Sequence, residues 1–182
     1  MPETRRFVIY GPESTGKTTL TESLACHFAE PWSREFVRQY WIDHDGIITA
    51  GDLDAIGRGQ LAGEQEAERR ARQRVFCDTD LLTCRLWDDL LFPGYGPDWV
   101  RREGDARARR AALYLLCDTD LPFTPDPMRS FPDPEGRAMC RKLWEDTLKQ
   151  LQVAYVLIQG SGEERLAQAI RAVEAIDAAP SQ

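Results

Sequence analysis

Apolar residues along the chain follow two alternating rhythms. Short unbroken runs occur at Arg6-Phe7-Val8-Ile9-Tyr10, Arg74-Val75-Phe76-Cys77, Ala112-Leu113-Tyr114-Leu115-Leu116-Cys117 and Val153-Ala154-Tyr155-Val156-Leu157-Ile158. Their length and their β-branched or aromatic content predict strands buried on both faces. Between them apolar positions recur at three- and four-residue spacing, as one face of a helix requires. Thr19, Leu20, Leu24, Ala25 and Phe28 predict a helix closed by Pro31, and Leu53, Ile56, Leu61 and Ala67 mark another one or two within Thr49 to Arg74, weakened by Gly57, Gly59 and Gly63. Further helices are predicted from Leu81 to Leu91, around Trp99 to Arg110, over Met139, Leu143, Leu148 and Leu151, and over Leu166, Ile170, Val173 and Ile176. Around Trp32 the preferred reading is a short strand ending near Ser33, then a helix from Arg34 to Trp41. Five prolines between Leu121 and Pro134 forbid a regular element there and predict an ordered loop or lid. Strands alternating with helices call for a mostly parallel five-stranded sheet covered on both faces, because parallel strands need long crossovers.

The strand-to-helix junction at Gly11-Pro12-Glu13-Ser14-Thr15-Gly16-Lys17-Thr18 matches G-x-x-x-x-G-K-[ST] in the context that motif requires. Gly11 and Gly16 let the backbone turn and approach phosphates, so successive N–H groups over Glu13, Ser14, Thr15, Gly16, Thr18 and Thr19 form an anion nest at a helix N-terminus. Lys17 adds a mobile positive charge for the β- and γ-phosphates, and the Thr18 hydroxyl is a ligand for Mg²⁺ bridging phosphate oxygens. The motif predicts an ATP site and a P-loop NTPase fold, a three-layer α/β/α sandwich with a small lid over approximately 118–137. The bland alternative is a glycine-rich turn with a chance lysine.

Composition narrows the remaining possibilities. The 182 residues carry 30 acidic and 23 basic side chains, a net charge of −7, with 42% hydrophobic positions, which fits a single domain over 1–182. An acidic balance argues against nucleic acid as a partner and leaves a local basic pocket for a small phosphorylated ligand. No apolar run is long enough to span a bilayer, and Met1 to Arg6 leads into the first strand without a signal-peptide core, so a cytoplasmic protein with no membrane partner is expected. Five scattered cysteines and two histidines, His27 and His44, supply neither a disulfide framework nor a zinc site, leaving carboxylates, Lys and Arg to carry the chemistry.

In open α/β sheets ligands gather outside the carboxyl ends of the strands. Asp78 and Asp80 end the third predicted strand, where an aspartate commonly holds the Mg²⁺ shell; capping of the following helix is the alternative for either. Glu35 follows the second strand, placed to accept the proton of an attacking hydroxyl or, equally, to pair with Arg34 or sit at a helix start. Asp118 and Asp120 end the fourth strand and read as a structural turn. Arg129 lies inside the lid, where a guanidinium can stabilise the transferred group; Arg137 follows, and Arg141 and Lys142 read as a solvated helix face. Trp32, Tyr40, Trp41, Trp87 and Tyr95 can stack on a planar ring, although core packing suits each singly.

The phosphate loop, Arg34-Glu35-Phe36-Val37, Cys77-Asp78-Thr79-Asp80-Leu81-Leu82-Thr83 and the segment Asp118 to Arg129 together resemble the ribosylnicotinamide kinase domain of NadR-type proteins, over Phe7 to about Ile176. The resemblance implies transfer of the ATP γ-phosphoryl group to the 5′-hydroxyl of nicotinamide riboside. It implies phosphate contacts at Gly16, Lys17, Thr18 and Thr19, Glu35 and Asp80 near the riboside, and Arg129 as the lid arginine. The lid sequence Thr124-Pro125-Asp126-Pro127-Met128-Arg129 departs from the family's usual glycine before the apolar residue and arginine. No His-x-Gly-His is present and the kinase-like region starts at the first residues, so adenylylation and repression are not expected. Two alternatives stay open: a P-loop kinase of another nucleoside or nucleotide, and a nucleotide-dependent regulatory ATPase.

Overall fold

Each apolar run forms a parallel strand and each periodic stretch a helix. A computed structural model describes residues 4–178; the ends of the expected 1–182 domain, including Met1 to Glu3 ahead of the first strand, lie outside the described residues. The order is β1 (Arg5–Tyr10), α1 (Lys17–Phe28), β2 (Trp32–Ser33), α2 (Phe36–Asp43), a 3₁₀ turn (Ala50–Asp52), α3 (Leu53–Arg70), β3 (Arg74–Asp78), α4 (Leu81–Leu91), α5 (Asp98–Arg109), β4 (Leu113–Cys117), α6 (Pro134–Leu151), β5 (Tyr155–Ile158) and α7 (Gly162–Ala178). The sheet runs β2-β3-β1-β4-β5 with every pairing parallel.

Register explains the layers. Phe7 pairs with Phe76 and Leu113, and Ile9 with Asp78 and Leu115. Phe7, Ile9, Phe76, Leu113 and Leu115 therefore share one face, packed against Leu20, Leu24 and Ala25 of α1 and Ala169 and Val173 of α7. Val8, Tyr10, Val75, Cys77, Tyr114 and Leu116 face the other way, onto Ala67, Leu82, Leu86, Ala108, Trp144 and Leu148. The result is three layers, α/β/α. Because β1 sits centrally and the chain leaves it first toward β2 and β3, then crosses to β4 and β5, the crevice beyond Tyr10 is the topological switch point.

Two details differ from the sequence expectations. Helix α2 starts at Phe36 rather than Arg34, because Glu35 keeps an extended backbone (φ −64°, ψ 113°) and the Arg34 guanidinium lies 5.0 Å from the Trp32 ring centroid. Helix α3 keeps its glycines because two of them are contact points: a Cβ on Gly59 would lie 2.2 Å from the Phe36 ring, and one on Gly57 would lie 2.7 Å from Val100. The helix thus lets α2 and α5 approach closely at a cost in propensity of about 1 kcal/mol per glycine. Beneath the sheet, fully buried Glu64 of α3 joins Arg107 at 2.9 Å and Arg6 at 3.5 Å and accepts the Leu81 N–H at 2.9 Å.

Candidate active site

The loop between β1 and α1 wraps a concavity at the switch point. Gly11 (φ +143°) lies under it, where a Cβ would approach the Cys117 carbonyl to 2.8 Å; it shapes the turn and does not itself line the cavity. Gly16 takes φ +74° as the N-terminal cap of α1. Thr15 Oγ1 donates to the Pro12 carbonyl at 2.9 Å and Lys17 Nζ donates to the same oxygen at 2.7 Å, so the ammonium lies across the loop. Arg165 of α7, nearly buried, donates to the carbonyls of Thr15 (3.1 Å), Asp118 (3.1 Å) and Gly160 (2.6 Å) and to Asp120 at 2.9 Å, clamping the loop to the ends of β4 and β5.

Next to the loop, Thr18 Oγ1 donates to Asp78 Oδ2 at 2.6 Å. Burial raises the Asp78 carboxyl above its ordinary pKa, opposed by the Thr18 hydrogen bond and the Lys17 charge. A hydroxyl backed by a carboxylate at the start of a phosphate-loop helix is a donor pair that fits Mg²⁺, which takes few protein oxygens and keeps waters and phosphate oxygens for the rest. Among the described residues no group of three or more His, Cys, Asp or Glu side chains is arranged to hold a metal unaided.

Asp80 departs from the sequence expectation. Its side chain caps α4, accepting from Thr83 N at 3.2 Å and Thr83 Oγ1 at 3.3 Å, and it also accepts the Tyr114 hydroxyl. Thr79, at φ +62°, turns the chain between the two aspartates, so Asp78 meets Thr18 while Asp80 points into the protein and does not line the concavity. The capping alternative describes it. Asp118 and Asp120 are structural as expected: Asp118 accepts from Arg141 at 3.1 Å and Gln159 at 2.7 Å, and Asp120 from Gly160 N and Arg165. Arg141 is therefore an inward-facing anchor rather than part of a solvated face, whereas Lys142 is exposed beside Asp146.

The proline-rich lid is docked on the loop. Thr124 N donates to Ser14 Oγ at 2.8 Å, Ser130 N to Glu13 Oε2 at 2.8 Å, and Arg129 Nη1 to Ser14 Oγ at 3.2 Å. Arg38 of α2 reaches Asp126 of the lid at 3.0 Å. Lid residue Phe131 stacks on Trp87 with centroids 6.2 Å apart, and Trp87 in turn meets Trp144 edge-on at 4.9 Å.

Loop, lid, α2, α3 and α4 enclose one cavity of about 420 Å³. Ser14 to Thr19 and Arg129 line one end. Trp41, Leu53, Ile56, Trp87 and Phe92 line the rest, with Glu35, Gln60, Thr83 and Asp88 as polar groups. Glu35 pairs neither with Arg34 nor with any other described side chain and caps no helix N–H. Burial raises its pKa, with the Lys17 charge pulling the other way. The neighbouring Phe36 N–H donates to Gln60 Oε1 at 3.0 Å, which holds the start of α2 in place. The geometry thus sets an anion nest and two cations, Lys17 and Arg129, which meet no carboxylate among the described residues, beside an unpaired carboxylate in a half-apolar chamber, an arrangement able to bring a phosphate chain and a hydroxylated aromatic ligand together.

The AAA_28 family model, described as an AAA domain, matches residues 6–165. The chain belongs to this AAA-domain family. It is also similar to the trifunctional NAD biosynthesis/regulator protein NadR of Salmonella typhimurium (strain LT2), with 27% identity over 159 residues, 85% of this chain and 38% of that protein. The chain therefore spans under two fifths of that relative, and the likeness bears out the resemblance carried by the sequence motifs. Two crystal structures of NadR protein share the fold over 99% of this chain: one in complex with NR (TM-score 0.78, 23% identity, 52% of that chain) and one with NAD and AMP-PNP (0.75, 22%, 51%). A thymidylate kinase from Ehrlichia chaffeensis shares it at TM-score 0.65 and 15% identity, over 94% of this chain and 100% of its own. The architecture is that of P-loop kinases, and no helix among the described residues is long and apolar enough to cross a membrane.

Of the residues singled out from sequence, the structure brings Glu13 to Thr19, Glu35 and Arg129 to one cavity, with Asp78 behind Thr18. Sequence reasoning missed Arg38, Gln60, Asp88 and Arg165. A signal existed for Asp88: Thr83, Cys84, Trp87, Asp88 and Leu91 recur at helical spacing, and a carboxylate on that face is out of place in a mere packing stripe.

Proposed function

We propose that this chain is an ATP-dependent kinase of a small hydroxylated metabolite, and that its acceptor is the 5′-hydroxyl of nicotinamide riboside. The observation that carries the reading is the single cavity joining the phosphate nest at Ser14 to Thr19 to a chamber walled by Glu35, Trp41, Ile56 and Trp87. A hydrolase needs only the first half, whereas a phosphotransferase needs both, within reach of one γ-phosphoryl group. The likeness to NadR supports the choice of acceptor, and the AMP-PNP in one of its structures supports ATP as donor.

In this reading the amides of the loop hold the phosphate chain, and Lys17 exchanges its bond to the Pro12 carbonyl for one to the transferred group. Arg129, already beside Ser14, neutralises the same charge from the lid side. Glu35 orients the attacking hydroxyl and takes its proton, a role its raised pKa and lack of partners suit. Thr18 and Asp78 would hold Mg²⁺, which would supply positive charge to the phosphate chain. The lid excludes water from the chamber.

Turnover of labelled ATP against a panel of nicotinamide riboside, deoxynucleosides, thymidylate and shikimate tests the proposal. Riboside-dependent formation of nicotinamide mononucleotide is the expected result. Preference for another acceptor replaces the riboside, and hydrolysis indifferent to every acceptor refutes a kinase.

A further inference from the structure

Asp88 sits in α4 at the chamber end of the cavity and is 5% exposed. Its carboxylate accepts no hydrogen bond from any described residue, and Oδ2 is wholly buried without a donor. The nearby cations are committed elsewhere. Arg101 bonds Asp89 through Nη1 at 2.8 Å, and Arg85 bonds Asp105 and approaches Asp89 at 3.6 Å. The side chain has little room to leave, since a Cβ on Gly96 would lie 3.0 Å from Asp88 Cβ and 3.4 Å from Oδ2. An isolated buried carboxylate is costly, and its missing partner is a donor or a positive charge.

The charges of the cavity are distributed unevenly along its length. Lys17, Arg38 and Arg129 come from the phosphate loop, α2 and the lid, whereas the cavity residues that α4 and its C-cap contribute beside Asp88, namely Thr83, Cys84, Trp87, Leu91 and Phe92, include no basic side chain. An anionic acceptor would add a second negative charge beside Asp88, and a neutral base could offer it an N–H at most and would leave its charge uncompensated. A flat cation satisfies both the carboxylate and the aromatic wall.

We propose that Asp88 is the specificity-determining counter-ion for a positively charged aromatic ring, the N-ribosylated pyridinium of a nicotinamide nucleoside, held against Trp87. The inference rests on the riboside-kinase reading and goes beyond it, because it assigns selection to ring charge rather than ring shape.

Nicotinamide riboside and its 1,4-dihydro form share outline and carboxamide but differ by one positive charge. Phosphorylation of both is compared at pH 8 in the wild type and in Asp88→Asn, with binding of the charged riboside measured by calorimetry. The wild type should favour the charged riboside by about tenfold or more in kcat/KM, carried mainly in KM, and Asp88→Asn should shrink that ratio to within about threefold. Asn keeps the outline of the side chain, and Asp88→Ser is a second variant should it fail to fold. An unchanged ratio, or equal loss for both acceptors, overturns the counter-ion role while leaving the kinase standing. A wild type that phosphorylates neither acceptor refutes the riboside reading and this inference with it.

Discussion

Asp88→Asn should make the protein more stable at neutral pH, and the gain should vanish in acid. Burial, with the negative charge of Asp89 adding to it and Arg101 opposing it, pushes the Asp88 carboxyl from 3.8 up to about 7. Arg85 and the Cys84 thiol also face this turn of α4, but Arg85 is engaged by Asp105 and Asp89. Between these two pH values the folded protein holds a proton that the unfolded chain has lost, so stability falls as pH rises and the penalty is complete only above the folded value. A shift of about 3 units sets an upper bound of about 4 kcal/mol, and relaxation around a partly hydrated carboxylate brings the expected effect nearer 2 kcal/mol. For a domain of this size that is a melting temperature roughly 4–8 °C higher. Thermal unfolding followed by circular dichroism from pH 4 to pH 8 reads the difference between the two proteins. All other titrations cancel, and a constant offset from the amide itself does not affect the slope. A gap that stays flat over this range, or narrows toward pH 8, refutes the reasoning that Asp88 is a desolvated, unpartnered acid.

Lys17→Ala should lower turnover by about a hundred- to a thousandfold, with the melting temperature unchanged, because among the described residues the only bond the ammonium makes is to the Pro12 carbonyl; steady-state assay beside a melting curve separates the two effects. Asp78→Asn should raise the magnesium concentration for half-maximal turnover by about ten- to a hundredfold, since it supports Thr18 rather than the chamber, and a magnesium titration at saturating ATP checks this. Glu64→Ala should destabilise the fold by about 1–3 kcal/mol, stranding the Leu81 N–H and leaving Arg6 and Arg107 with Glu68 as their remaining carboxylate, and chemical denaturation measures it.

The frame of the molecule was legible because local pattern suffices for it. Four apolar runs, a phosphate motif between strand and helix, and a proline-rich break each carry their own signal within a dozen residues. What stayed hidden depends on contacts between distant positions. Gly57 and Gly59 look like helix faults until Val100 and Phe36 are seen against them, whereas Gly63, with nothing near it, is the fault it resembles. Asp78 and Asp80 are indistinguishable as letters, and only the left-handed turn at Thr79 sends one to Thr18 and the other to Tyr114. Arg165 reaches Thr15 across 150 positions, a pairing no window along the chain contains.

The same contacts divide the site into parts that can change partner and parts that cannot. Arg165 is nearly buried and spreads its guanidinium over three backbone carbonyls and Asp120, so withdrawing it would strand several polar groups at about 1–3 kcal/mol each. It fixes the loop from below. The contacts from above are more exposed: the Thr124 N–H and Arg129 share one hydroxyl of Ser14, the Ser130 N–H meets Glu13, and Arg38 meets Asp126 near the surface. Those are bonds that water or a phosphate oxygen replaces at little cost, as is the Lys17 bond to Pro12. Rigidity below and exchangeable bonds above mean that the nest keeps its shape while Lys17 and Arg129 turn to an anion, so the electrostatic work of reorganisation falls on two mobile side chains and not on the backbone amides that define the site.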